Sequence, residues 1–275
     1  MLDSLNALML PALTNLNVDF DFWPWEDALF IDLRPLLEKT SALEVLDLDL
    51  HHLPLLSAHA LPHLRTFIGD VQDSLTLCDA NRPLHTLDLT LSFPDYDLTV
   101  TINDIADRTA LLSRLARTPT LRRLFFVHGG RQDVGSNSGN RGYLPPSVFH
   151  QVATSCPDLT HLEICVDGSL QQIGSVLELL PNLVWIRLHL QHTTFASVNS
   201  YEVQRNLLTP SSRLRFIWLD DHLTLHMPPT LPRGNEVRSI TFLVDQDQEG
   251  THVLRPNPYR LPDLMRRYIS KQLDI

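Results

Sequence analysis

The chain has little of what usually carries chemistry or cross-links. Its three cysteines, Cys78, Cys156 and Cys165, form no CxxC pair. So sparse and odd a set excludes a disulfide-stapled secreted scaffold and fits a reducing interior. No run of some 18 apolar residues occurs, which excludes an apolar membrane-spanning helix. No basic segment followed by an apolar core stands behind Met1, so no signal peptide is expected. Together these absences point to the cytoplasm or nucleus. Net positive charge is missing too: the formal charge is −10, which argues against a nucleic-acid backbone as main partner.

Glycine is scarce and unevenly placed: five of the ten glycines lie between Gly129 and Gly142. That composition buries too little to order itself and reads as a mobile insertion over residues 129–146. The loop is no phosphate cradle, because it lacks the Gly-Lys-Ser/Thr ending of a P-loop. Phe125-Phe126-Val127-His128-Gly129-Gly130 resembles the segment that forms an esterase oxyanion hole. That chemistry needs a G-x-S-x-G elbow, and Gly135-Ser136-Asn137-Ser138-Gly139 places Asn at its centre. His59 and His63 have the i, i+4 spacing of metal ligands, but Pro62 between them ends any helix. With His51 and His52 they read as turn and surface histidines. No catalytic residue, cofactor or metal is expected.

What the chain has is leucine, 53 of 275 residues, arranged in one recurring phrase. Leu43-Glu44-Val45-Leu46-Asp47-Leu48 is the clearest copy. Nine copies start at Leu13, Leu43, Leu64, Leu84, Leu121, Leu159, Leu183, Leu214 and Val237. The copy from Leu64 is worn, with Phe67 and Gly69 at core positions. Successive starts lie 20 to 38 residues apart, against about 20–29 for a regular leucine-rich repeat, so the longer gaps contain insertions. Trp23-Pro24-Trp25 lies in one of them, where its tryptophans seal the early core.

Each phrase ends in strict alternation, the mark of a strand with one buried face. A polar residue follows at a fixed offset, as at Gln72, Asp167, Gln191 and Asp245, with a structural role in the turn. Helical spacing precedes the strand in Ala106 to Ala116 and Ser169 to Leu180. Pro then sits two residues before the first Leu in five copies, ending the helix and launching the strand. Units of helix, break and strand place their strands in parallel. The expected fold is therefore α/β: a leucine-rich-repeat solenoid of about nine irregular repeats, with a parallel sheet on the concave side and helices on the convex side. The solenoid is expected over residues 1–245. A capping segment follows over 246–275, with a helix at Leu261 to Leu273.

Outward positions form two columns. One runs Asn17, Asp47, Ile68, Asp88, Phe125, Glu163, Arg187, Trp218, Thr241. The other runs Asp19, Asp49, Asp70, Thr90, Val127, Cys165, His189, Asp220, Leu243. Stacked aspartates repel one another and favour a cationic partner. Phe125, Arg187 and Trp218 are of the types enriched at binding hot spots. The expected partner-binding residues are Asp19, Asp47, Asp49, Asp70, Asp88, Phe125, Glu163, Arg187, Trp218 and Asp220, facing a protein with a basic patch.

Ser155-Cys156-Pro157-Asp158-Leu159-Thr160-His161-Leu162-Glu163-Ile164 resembles the cysteine-containing leucine-rich repeat of F-box proteins. The irregular spacing and the Thr-Pro-Thr-Leu, Leu-Pro-Asn-Leu and Leu-Pro-His-Leu breaks are similar to the F-box-like families of mushroom-forming fungi. The resemblance covers Leu5 to Val244. It implies repeats that select the substrate of a ubiquitin ligase, with an N-terminal F-box docking on a Skp-type adaptor. No F-box segment is found, so adaptor binding requires one upstream of this chain. The competing expectation is a structural remnant of an expanded repeat family, folded but without a dedicated partner.

Overall fold

The computed structural model describes residues 10–18, 32–48, 53, 55–69, 71–78, 82–89, 104–126, 144–196, 198–208, 213–221, 239–246 and 252–256. Every copy of the phrase contributes one strand. In chain order these are β1 (Asn15–Val18), β2 (Val45–Leu48), β3 (Thr66–Ile68), β4 (Thr86–Asp88), β5 (Arg123–Phe126), β6 (His161–Val166), β7 (Trp185–Leu190), β8 (Phe216–Asp221) and β9 (Ser239–Gln246). A further strand, β10 (His252–Pro256), follows. All ten form one sheet whose spatial order is the chain order. The fold is α/β, and the sheet is mostly parallel.

Among the described residues the helices are α1 (Arg34–Leu37), α2 (Val71–Cys78), α3 (Asp104–Leu115), α4 (Pro146–Ser155), α5 (Leu170–Leu177), α6 (His192–Ala196) and α7 (Ser200–Leu207). Their apolar sides share one core with alternate strand residues. Leu37, Leu77, Leu115, Phe149, Ile173 and Val203 pack with Leu46, Phe67, Leu87, Leu124, Leu162, Ile186 and Ile217. The other strand face, including Phe125, Cys165, Trp185 and Trp218, lies outside that core. The described helices therefore occupy one side of the sheet. Burial of one Leu side chain is worth about 1.5–3 kcal/mol, so the phrase repeated along the chain supplies the main stabilisation.

Local signals set the element ends. The Ser169 hydroxyl accepts from the Gln172 N–H, and the Gln172 side chain accepts from the Ser169 N–H, a reciprocal cap that starts α5. Gly168, at φ +114°, makes the preceding turn in a region that a side chain would strain. The worn third copy is compensated from within. A Cβ at Gly69 would overlap the Phe67 ring, so one large residue fills the space of two core positions.

Three expectations are corrected. The ninth copy is not parallel: β9 runs antiparallel to β8, and β10 antiparallel to β9. A parallel return uses a crossover, usually a helix. The stretch between β8 and β9 holds Pro228, Pro229 and Pro232, which suit no helix interior. Secondly, the offset residues are not all in turns. Gln72 lies within α2, and the next residue, Asp73, accepts the Leu53 backbone N–H at 2.5 Å. Asp245 lies within β9 and pairs with Arg255 of β10 at 3.0 Å. Asp167 does keep the turn role, accepting from the Gly168 N–H at 2.7 Å.

Thirdly, the end of the 129–146 insertion is ordered. Leu144 is buried and bridges Val166, and Pro146 begins α4. Residues 129–143, Trp23 to Trp25 and the helix expected at Leu261 to Leu273 lie outside the described residues.

Candidate functional site

The strand register settles how the sheet face opposite the described helices is tiled. Asn17, Asp47, Ile68, Asp88, Phe125, Glu163, Arg187, Trp218 and Thr241 are each paired with the next, forming one unbroken row across β1 to β9. A second row runs Cys165, His189, Asp220, Ser239. Its last member is Ser239 rather than the expected Leu243, because β9 is reversed. Asp19, Asp49 and Asp70 lie outside the described residues.

The two halves of the face differ in exposure. On β1 to β4 Asn17 is exposed, and Asp47, Ile68 and Asp88 are half-buried. The Asn17 amide donates to Asp47 at 3.0 Å. From β5 onward the face is closed. Phe125 and Thr241 are buried, and Glu163 is 1%, Arg187 6%, His189 1%, Trp218 7% and Asp220 4% exposed.

The closed half holds a network of charges. Arg187 Nε donates to Asp220 Oδ2 at 2.6 Å, and its terminal nitrogen lies 3.5 Å from Glu163 Oε1. His189 sits between the same two carboxylates, Nε2 at 2.9 Å from Glu163 and Nδ1 at 3.6 Å from Asp220. The Arg187 guanidinium carbon lies 4.1 Å from the centroid of the Trp218 ring, a cation–π arrangement. Trp218 Nε1 is 2.7 Å from both Asp220 Oδ1 and Ser239 Oγ, which ties β8 to the reversed strand. Trp185 meets the Phe125 ring edge-on, centroids 5.9 Å apart, and stacks on His161.

Each buried ion costs several kcal/mol to desolvate, so these charges persist only because they are paired. Five of the predicted contact residues, Phe125, Glu163, Arg187, Trp218 and Asp220, thus face one another inside the chain. Asp47 and Asp88 remain at the surface. Reasoning from sequence missed His189 and Ser239 as members of the network. His189 was legible, since it stands beside Asp220 in the repeat register. Ser239 was not, because its place depends on strand direction.

Cys165, His189 and Asp220 in adjacent places suggest a nucleophile, base and orienting carboxylate. The chemistry does not follow. His189 Nε2 is taken by Glu163 at 2.9 Å, and Nδ1, 3.6 Å from Asp220, makes no hydrogen bond to an orienting carboxylate. Burial first, then the Glu163 and Asp220 charges, push the Cys165 thiol far above its ordinary range. A thiolate is the reactive form, and this site disfavours it. Among the described residues no group of three or more His, Cys, Asp and Glu side chains is placed to hold a metal ion. His59 and His63 are exposed and lie in successive turns. No helix among the described residues is long and apolar enough to cross a membrane.

A scan against protein-family models finds no match, and a search of curated proteins finds none.

Proposed function

We propose that the chain is a leucine-rich-repeat solenoid acting as a non-enzymatic protein-recognition scaffold, the substrate-selecting part of an F-box-like ubiquitin-ligase subunit. The supporting observation is the unbroken row from Asn17 to Thr241 on the sheet face opposite the described helices. A face tiled in this way presents equivalent positions at a spacing of about 4.8 Å, a surface suited to an extended partner.

The contact region is the open half, β1 to β4. Asp47 and Asp88 flank Ile68, so the preferred partner offers cationic side chains around an apolar anchor. Phe125, Glu163, Arg187, Trp218 and Asp220 act from beneath by fixing the frame. The partner is a protein, reached in the cytoplasm or nucleus. A Skp-type adaptor joins only through an F-box lying upstream of these repeats.

Binding of a labelled oligolysine peptide tests the open half. Asp47→Lys/Asp88→Lys reverses two surface charges, each worth about 0.2–1 kcal/mol, and is expected to weaken binding about tenfold. Unchanged binding in a chain that keeps its circular dichroism sinks the assignment.

A further inference from the structure

We infer that the starting edge of the parallel strands forms a second interaction surface, a basic rim that holds an acidic segment of a partner protein. The residue just before each strand is tied by its backbone to the same residue of the preceding unit. Arg65 N–H donates to Glu44 C=O, His85 to Arg65, Arg122 to His85, Thr160 to Arg122, Val184 to Thr160 and Arg215 to Val184, all at 2.8–2.9 Å. These residues therefore stand in one column, a step of about 4.8 Å per strand. Arg65, His85 and Arg122 occupy three consecutive steps.

Arg65 and His85 are exposed, and Arg122 is half-buried. Arg123 follows Arg122 at the head of β5, and exposed Arg117 and His63 lie in the turns below. Two described acids stand on this rim. Glu44 is the step before Arg65. Asp158 lies 3.6 Å from Arg122, with side chains 54% and 42% exposed, and also accepts from Asn182 at 3.2 Å. An ion pair so exposed is weak, so an incoming carboxylate competes with it. Past Arg122 the column turns neutral at Thr160 and Val184 before Arg215, so its consecutive basic steps are those of β3 through β5.

The formal charge of −10 decides the partner's class. A long phosphate backbone meets the field of the whole chain and is repelled. A short acidic segment meets the local field, since screening is nearly complete beyond about 8 Å at physiological salt. Arg65 and Arg122 are two steps, or about 10 Å, apart, which is roughly three residues of extended chain. A segment with Asp or Glu at every third place matches that span. None of these residues belongs to the row carrying Asp47 and Asp88, so the inference stands apart from the preceding proposal.

The test is fluorescence anisotropy of a labelled oligoglutamate peptide with the full chain at about 0.15 M ionic strength, where the Debye length is about 8 Å. Saturable binding is expected, weakened about threefold by Arg65→Gln and about tenfold by Arg65→Glu/Arg122→Glu, the range that exposed pairs permit. Arg205→Glu, at an exposed position on α7, is expected to change binding less than about twofold. Asp47→Lys/Asp88→Lys is expected to retain binding, which separates failure of the rim from failure of the open face. Three results overturn the inference: no saturable binding, an Arg205→Glu effect equal to that of the rim variants, or an RNA oligonucleotide that binds tighter and displaces the peptide.

Discussion

Arg187 is the keystone of the closed half, and its removal gives the sharpest prediction. Arg187 stands between Asp220 at 2.6 Å and Glu163 at 3.5 Å, all more than nine-tenths buried. Asp220→Leu removes the 2.6 Å carboxylate partner of Arg187 and one of two acceptors at Trp218 Nε1. Breaking a buried pair on one side costs about 3–5 kcal/mol. Arg187→Met should cost more, at the top of that range, because two carboxylates then face each other without a fixed cation. Arg187→Met/Asp220→Leu removes both charges of the tight pair, and replacing a buried pair by apolar residues is often neutral. Its cost should fall short of the summed single costs by at least about 2 kcal/mol, within the range of coupling for contacting residues. Urea titrations followed by tryptophan fluorescence measure all four chains, with equal slopes as the sign that the same surface unfolds. The reasoning is refuted if Asp220→Leu unfolds within about 1 kcal/mol of the parent, or if the single costs add within about 0.5 kcal/mol.

Two further outcomes follow from packing and burial. A Cβ at Gly174 of α5 would overlap the Asn206 carbonyl oxygen of α7, so Gly174→Ala should destabilise by about 1–3 kcal/mol in the same assay through overpacking. Cys78, Cys156 and Cys165 are buried, so a thiol reagent at about pH 8 should label them only after urea is added. Burial and Cys78 push the Cys156 thiol from 9.0 to about 12. The unfolded thiol ionises first, so stability should fall as pH rises from 9.0 to about 12. Cys156→Ala should soften that decline in urea midpoints measured across the window.

Much of the fold was legible because the phrase is strong. Leu43, Leu46 and Leu48 announce a strand with one buried face, and all three are fully buried. The helix from Ser169 was legible from its apolar spacing, as was the α3 region from Leu111, Leu112 and Leu115. The short helices α1, α6 and α7 were not, because each carries too few apolar positions to show a period. The candidate site was half legible. Asp47 and Asp88 were placed on the outward strand face and share one row there. Glu163, Arg187 and Asp220 were placed on the same face, but their pairing through Arg187 joins residues 24 and 33 positions apart. No local pattern states whether a charge on a sheet face meets solvent or an opposite charge.

The sequence by itself determined where the described strands from β1 to β9 lie and the side each of their residues takes. Alternation has a period of two, and apolar residues leave water whichever neighbours they meet. Only the tertiary structure decided the direction of β9, the place of Ser239 and the closure of the face from Phe125 to Thr241. Alternation reads the same in both chain directions, so it carries no information about strand polarity. A charge's fate is likewise set by the partners that pairing brings within a few ångströms, and here those partners come from separate repeats.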